Sequence, residues 1–503
     1  MRKSGLNINC CIACYVVVLM LFCVGSSPLI NSSGTDSSIF IVIGRAMLKG
    51  KVAYKDLFDH KGLYLYFLNC LAAFISSRSF IGLFAIESVF MFACARIVFA
   101  VFSRYSDEKV SWLGMQIFLS VVLSRRLLFG GNLTEEYALI FQMCSIYLLI
   151  LYLDSSNITY KPLYMFLQGI TASAVFFLRP NMIMMWGAIA VLVGVDLLRH
   201  KDFSGLFKNL AAGLLGIAAG AAPAVIYAVV NDSVQDTVFA MFNFNMLYTA
   251  LDWDIKQLII RILLILKNKD QRYLILLLFI SAVIMLKNRR GLYYYAMLFM
   301  CTISVSLSGR QYGHYYLYLV PLCLPLVYYL AHEINILNKS PESFIKFRTA
   351  VLAVFLLTFI TGTLITGKLI DLVNRLNVKQ SSNAEYIEQI MKCNESYHYD
   401  DEKVLVTKIH YAKLYNYLAA TPHEKYFYTP AIPYSVFPDP VNAQAESIIS
   451  GTNDVVIVVY DNDSREIYSE TDRSSEIKHV LETQYDLLYY AEENNIAMYG
   501  KKR

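Results

Sequence analysis

Apolar runs long enough to cross a membrane, each closed by a short polar stretch, recur through the first three quarters of the chain. They occupy residues 8–30, 80–102, 113–129, 137–153, 163–178, 182–198, 210–230, 273–286, 292–307, 317–331 and 350–366. Runs of this length and apolarity predict transmembrane helices. Arg2 and Lys3 ahead of the first run, and Gly25, Ser26 and Ser27 near its end, imitate a secretory leader. The run exceeds the usual leader core, and further spans follow, so it reads as a first helix. Two other stretches are amphipathic. Residues 37–49 set Arg45 and Lys49 against an apolar face and are closed by Gly50, while 61–77 carries Tyr64, Tyr66 and Phe67; both predict short interfacial helices.

Charge decides how these segments are counted. With the N-terminus in the cytoplasm and 61–77 held in the interface, Arg104, Lys109, Arg199, Lys201, Lys287, Arg289 and Arg290 all fall inside, as the positive-inside rule asks. Counting 61–77 as a span would reverse them. The expected fold is a polytopic α-helical membrane protein with about eleven spans, with further interfacial helices across residues 231–272. Beyond residue 370 the pattern changes. Strand-like KVLVTKI, KYFYT and DVVIVVY alternate with helix-like YAKLYNYLAA and SSEIKHVLETQ, which predicts a small α/β domain with a mainly parallel sheet. The expected division is 1–370 for the membrane domain and 371–503 for a soluble extracytoplasmic domain. Neither a GxGxxG fingerprint nor a GxxxxGK loop is present, so no nucleotide is assigned to it.

Composition agrees with the pattern. Over 503 residues the chain is 56% hydrophobic with 17% charged residues, and its mean hydropathy is +0.46. A soluble chain of ordinary make-up is more polar. The net charge of +5 is small and spread over loops, which gives no footprint for nucleic acid. Of ten cysteines only Cys393 falls in a polar region, so no disulfide framework is expected. The Cys11 and Cys14 pair reads as helix packing.

Candidate chemistry collects on the face expected to be outside. Residues 34–62, GTDSSIFIVIGRAMLKGKVAYKDLFDHKG, bring Asp36, Asp56, Asp59, His60 and Lys61 into one loop. Asp36 could serve as a general base, help hold a divalent cation, or cap the helix that starts at Ser37. Asp56 could equally be a solvated loop residue. Lys61 before a helix start offers positive potential suited to a phosphate. Further along, Arg125 and Arg126 precede Glu135 and Glu136, a structural pairing as plausible as a functional one. Arg179 in LRPN, and Arg310 with His314 in SGRQYGHYY, repeat the cation pattern. Glu87 and Arg96 within one span could pair structurally. Several cations and carboxylates on one surface suggest an anionic lipid headgroup with an acid or base beside it.

These features carry a resemblance. An Asp after the first helix, an interfacial helix ending in G-x-V-x-Y-x-D-x-F-D-H-K-G, a later acidic pair, an Arg-Pro turn and G-R-x-Y-x-H-Y resemble the bacterial branch of the C-type (GT-C) glycosyltransferases. That branch includes protein O-mannosyltransferase-like and aminoarabinose transferase-like membrane enzymes. The resemblance covers about residues 1–370. It implies transfer of a sugar from a polyprenyl-phosphate donor to an envelope acceptor, a glycan, teichoic acid, lipid or protein, on the outer face of the plasma membrane, with inversion. By it Asp36 is the catalytic residue, Lys61 with His60 before it is the position that contacts the donor phosphate or a nearby metal, and Arg310 and His314 complete a phosphate site; Arg125 is a further candidate donor-phosphate ligand from the cation pattern itself. Glu135 or Glu136 matches the family's second acidic position, and Asp56, Asp59, Glu135 and Glu136 together are the candidate acidic positions for a metal or the acceptor. Where many members have Gly-Pro or Pro-Pro after the lysine, this chain has Gly62 and Leu63. A lipid-linked sugar flippase and a polymerase or ligase using diphosphate-linked donors are the alternatives. The crowding of polar residues at one face, rather than at mid-membrane depth, counts against the flippase.

Overall fold

The computed structural model describes residues 7–104, 106–154, 160–250, 256, 259–262, 289–307, 312–322, 382–397, 399–460, 466–468 and 471–502. The expected spans at 273–286 and 350–366, and the second half of 317–331, lie outside them. In chain order the helices begin with α1 (Ile8–Cys23), α2 (Thr35–Leu48), α3 (Leu63–Ile75), α4 (Ile81–Ser103), α5 (Glu108–Val122) and α6 (Arg125–Leu128). They continue with α7 (Thr134–Asp154), α8 (Pro162–Phe176), α9 (Met184–Arg199), α10 (Phe203–Val230), α11 (Val234–Val238) and α12 (Phe244–Ala250). Among the described residues, Ile81–Ser103, Thr134–Asp154, Pro180–Arg199 and Phe203–Val230 are long and apolar enough to cross a membrane. Ile8–Cys23, Leu63–Ile75, Pro162–Phe176 and Gly291–Leu307 are shorter apolar helices.

Local chemistry sets the boundaries. Asp107 caps α5 by accepting from Val110 N–H at 2.9 Å, and Asp202 accepts from Gly205 N–H at 2.8 Å at the start of α10. Pro162 opens α8, where a missing N–H costs nothing. The first helix stops at Cys23, short of the predicted residue 30, because the chain turns away there: Gly25 N–H bonds Gly130 O at 2.7 Å and Ser26 donates to Glu87. The run at 113–129 likewise ends early, at Val122, and re-forms as the one-turn α6.

The chain forms two compact units. The first comprises residues 1–30, 84–226 and 249–373. Its helices are joined by polar side chains that find partners within apolar surroundings, since an unsatisfied group there is costly. Gln142 of α7 donates to Tyr318 O at 2.8 Å. Asp196 of α9 accepts from Tyr293 Oη at 2.6 Å and Tyr152 Oη at 3.2 Å. Ser173 of α8 bonds Ile217 O of α10 at 2.8 Å, and a Cβ placed on Gly216 would stand 2.0 Å from Phe166 O. Residues Gly313–Leu322, expected in part to begin a span, form a 3-10 helix that contains Pro321. Glu87 and Arg96 do not pair: Glu87 bonds Ser26, and Arg96 lies over the Phe99 ring at 5.6 Å.

The second unit comprises residues 31–83, 227–248 and 374–503. Helices α2 and α3 cross closely at Gly44, where a Cβ would lie 2.4 Å from the backbone carbon of Asn69. The C-terminal part holds β1 (Val404–Val406), β2 (Val455–Val459), β3 (Tyr485–Ala491) and β4 (Ile496–Lys501), in sheet order β1-β2-β4-β3. Only β1 and β2 are parallel; β4 runs antiparallel to both β2 and β3. The sheet is therefore mixed, not mainly parallel, because the turn at Glu492–Asn495, with Asn495 at φ 50°, folds the chain end back as a hairpin. Helices Asp439–Ile449 and Ser474–Gln484 cover a core of Val456, Val458, Ile448 and Ile477. KYFYT is not a strand. Its carbonyls are taken elsewhere: Phe427 O accepts from Tyr415 Oη, Tyr426 O from Gln444 Nε2 and Lys425 O from Phe58 N–H.

Arg45 ties the two ends of this unit together. Its guanidinium donates to Ala420 O at 2.7 Å and Tyr415 O at 3.1 Å. Burial pulls its pKa down to about 10, against the opposing charge of Asp401, so it stays a cation at neutral pH.

Candidate functional site

In the second unit the loop before α3 builds the DHK cluster from its backbone outward. Asp56 accepts from Val52 N–H at 2.6 Å, so its carboxylate closes the turn that follows Gly50. Tyr54 holds a positive φ of 67° within that turn and donates its hydroxyl to Lys61 O at 2.6 Å. Tyr66, expected in the interfacial belt, is instead fully buried, accepting from Lys61 N–H at 3.1 Å and donating to Asp59 Oδ2 at 2.7 Å.

Asp59 is only 2% exposed and is held from both sides. Tyr428 Oη donates to its Oδ1 at 2.6 Å, and His60 Nδ1 lies 3.1 Å from the same oxygen. Burial alone would raise the Asp59 pKa. The His60 hydrogen bond, the charges of His60 and Lys61 and the Tyr428 hydrogen bond outweigh it and hold the carboxyl well below the usual range. On the far side of the ring, His60 Nε2 is 2.9 Å from Lys61 Nζ. An ammonium can only donate, so Nε2 accepts and the proton sits on Nδ1, facing Asp59. Burial and the Lys61 charge lower the His60 pKa, against the hydrogen bond and charge of Asp59 and the charge of Asp36, so the ring is neutral at neutral pH. Phe244 and Tyr248 flank it at centroid distances of 5.2 and 5.7 Å, and Asn245 bonds its carbonyl at 3.0 Å.

Asp36 stands in the first turn of α2 and is half-buried. It is not the helix cap, a position filled by Gly34. Its charge is felt, as a minor contribution, at His60 and Tyr428. The Lys61 ammonium, oriented by His60, is a group that can hold a phosphate, and the Asp36 carboxylate is one that can take a proton.

The first unit holds the second acidic position. Phe129, Gly130, Gly131 and Asn132 all have positive φ, a run that the GGN sequence makes affordable and that sets the start of α7. Glu135 is buried there, accepts from Thr134 Oγ1 at 2.8 Å and pairs with Arg179. Arg179 in turn lies 4.1 Å over the Tyr315 ring, and His314 packs against Phe129, Tyr312 and Tyr315. Glu136 accepts from Asn132 N–H at 2.7 Å. Gly131 sits at φ 92°, a conformation that side-chain-bearing residues rarely adopt, which favours glycine there. The partner of Glu135 is thus Arg179; the side chain of Arg125, and Arg310 entirely, lie outside the described residues. Among the described residues no group of three or more His, Cys, Asp or Glu side chains is arranged to hold a metal ion. Reading from sequence missed Tyr66 and Tyr428 as partners of Asp59; nothing near Asp59 in the chain signals Tyr428.

Residues 1–358 match the family model described as "Putative competence-induced protein Ccs4 N-terminal domain". A search of curated proteins finds no match. Among solved structures the chain is similar to ArnT from Cupriavidus metallidurans bound to undecaprenyl phosphate, with a TM-score of 0.59, 10% identity, and coverage of 98% of this chain and 97% of that one. The apo state of the same protein gives a TM-score of 0.58 at 11% identity, over 98% of this chain and 97% of that one. The likeness is one of fold: a multi-pass helical membrane protein with several apolar spans.

Proposed function

The chain belongs to the Ccs4 N-terminal domain family, and from that membership together with the ArnT-like fold we propose that it is a GT-C glycosyltransferase. In this reading it transfers a sugar from a polyprenyl-phosphate donor to a cell-envelope acceptor on the outer face of the membrane. Residues 1–370 carry the membrane-embedded transferase with about eleven spans and a cytoplasmic N-terminus, and 371–503 are extracytoplasmic. The acceptor hydroxyl attacks the anomeric carbon, the bond to the phosphate oxygen breaks, and the polyprenyl phosphate leaves with the bonding electrons, inverting the centre. Asp36 takes the hydroxyl proton, and the Lys61 ammonium stabilises the charge gathering on the departing phosphate.

The observation that supports this reading is the Lys61 ammonium held by His60 at 2.9 Å beside the buried Asp59, on a fold that in the solved relative is bound to undecaprenyl phosphate. Membranes expressing the full chain should release radiolabelled sugar from an undecaprenyl-phosphate sugar panel, and Asp36→Asn should lower the rate at least about a hundredfold while remaining folded and inserted. Full activity in that variant would remove Asp36 from the chemistry. Release from no donor by intact wild type would favour the flippase or the diphosphate-donor enzyme. A parallel arm with chelator reads out any need for a divalent cation.

A further inference from the structure

We propose that Tyr428 is a positioning residue for Lys61, acting through Asp59 and His60, so that the chain beyond residue 420 takes part in holding the donor phosphate. The inference rests on the reading that Lys61 holds that phosphate. Four groups stand in line: Tyr428 Oη donates to Asp59 Oδ1 at 2.6 Å, the same carboxylate oxygen lies 3.1 Å from His60 Nδ1, and His60 Nε2 is hydrogen-bonded to Lys61 Nζ at 2.9 Å. A buried carboxylate held by two phenols cannot rotate freely, and its fixed negative charge 3.1 Å from Nδ1 favours the proton on that nitrogen. The lone pair on Nε2 then takes one of the three ammonium protons and leaves two for a ligand. A lysine side chain is long and rich in rotamers, so holding it in place beforehand reduces the entropy lost on binding.

Tyr428 is the residue that separates positioning from mere folding. Tyr66 also accepts the Lys61 backbone N–H, so changing it disturbs the loop itself. The Tyr428 hydroxyl is used on Asp59, while its ring packs on Phe427 at 5.1 Å and would remain in a phenylalanine.

The test is a double-mutant cycle on the full-length protein in detergent, with binding of radiolabelled undecaprenyl phosphate as the readout and thermal melting as the check on folding. Tyr428→Phe should weaken binding about five- to tenfold, and Lys61→Ala more strongly. The double variant should bind no worse than Lys61→Ala alone, because Tyr428 acts only through that ammonium. Asp59→Asn should show the same dependence on Lys61 and serves if Tyr428→Phe melts early. Wild-type affinity in Tyr428→Phe, or a defect that persists in full on top of Lys61→Ala, overturns the inference and leaves the role of Lys61 intact. Unchanged binding in Lys61→Ala overturns the assignment of the phosphate to Lys61, and the inference with it.

Discussion

An ammonium on a four-carbon stem is ordinarily a mobile, strongly hydrated point charge. Lys61 differs because a neutral imidazole anchors it, and the neutrality has a pH dependence. Among the described residues, the charged groups acting on His60 are Lys61, Asp59 and Asp36, and the Phe244 and Tyr248 rings flank it. Burial and Lys61 prevail, so the folded-state pKa lies below the ordinary value of about 6.5. A depressed histidine pKa means the unfolded chain binds the extra proton first. The contribution to stability is therefore complete above about pH 6.5 and declines as pH falls through the folded value. Once charged, Nε2 carries a proton and can no longer accept from Lys61. Undecaprenyl phosphate affinity should hold from pH 8 to about 6.5 and fall in more acid buffer, and His60→Gln should lack that part of the decline. Asp59 shifts in the same direction from a lower start. Its stabilising contribution is full above about pH 4 and lost below, so Asp59→Asn should cost about 2 kcal/mol in a neutral melt and converge with wild type in strong acid.

Between elements, the contact with the least room is the crossing of α2 and α3. A methyl group on Gly44 would approach the Asn69 backbone carbon to 2.4 Å, and backbone cannot step aside as a flexible side chain can. Gly44→Ala should destabilise the protein by about 1–3 kcal/mol in a thermal melt, with a drop in donor affinity, since α3 starts just after Lys61. This is also the scale at which the sequence was most legible. Helices α2, α3, α4, α7, α8 and α9 fall within a few residues of their apolar runs, because hydropathy and end signals act locally. What was not legible depended on distant partners. The first run stops at Cys23 because Gly130 and Glu87 claim the next residues. KYFYT has the composition of a strand, but its carbonyls serve Phe58, Tyr415 and Gln444. In the site, the DHK run and Asp36 could be picked out by charge and position. The tyrosines that order them could not, for Tyr428 lies 369 residues beyond Asp59.

At the scale of the whole molecule, the second unit joins segments from the beginning, middle and end of the chain. The loop around residues 31–83 borrows its buried hydrogen bonds from residues after 374: Arg45 from Tyr415 and Ala420, Asp59 from Tyr428, and Phe58 N–H from Lys425. Removing one partner of a buried charge costs about 3–5 kcal/mol. A chain ending at residue 373 should therefore be cut readily by protease within 31–83 and fail to retain undecaprenyl phosphate. A truncated protein with a protected loop and wild-type retention would contradict this.

The same borrowing sets a clock. Ribosomes extend a chain at about 5–20 residues per second, so Asp59 emerges roughly 20 to 70 seconds before Tyr428. During that interval Asp59 has Tyr66 but lacks Tyr428, and Arg45 lacks the carbonyls of Tyr415 and Ala420. The Lys61 site is therefore finished last, after the spans between have been inserted, and a chain released early would occupy the membrane without acquiring it.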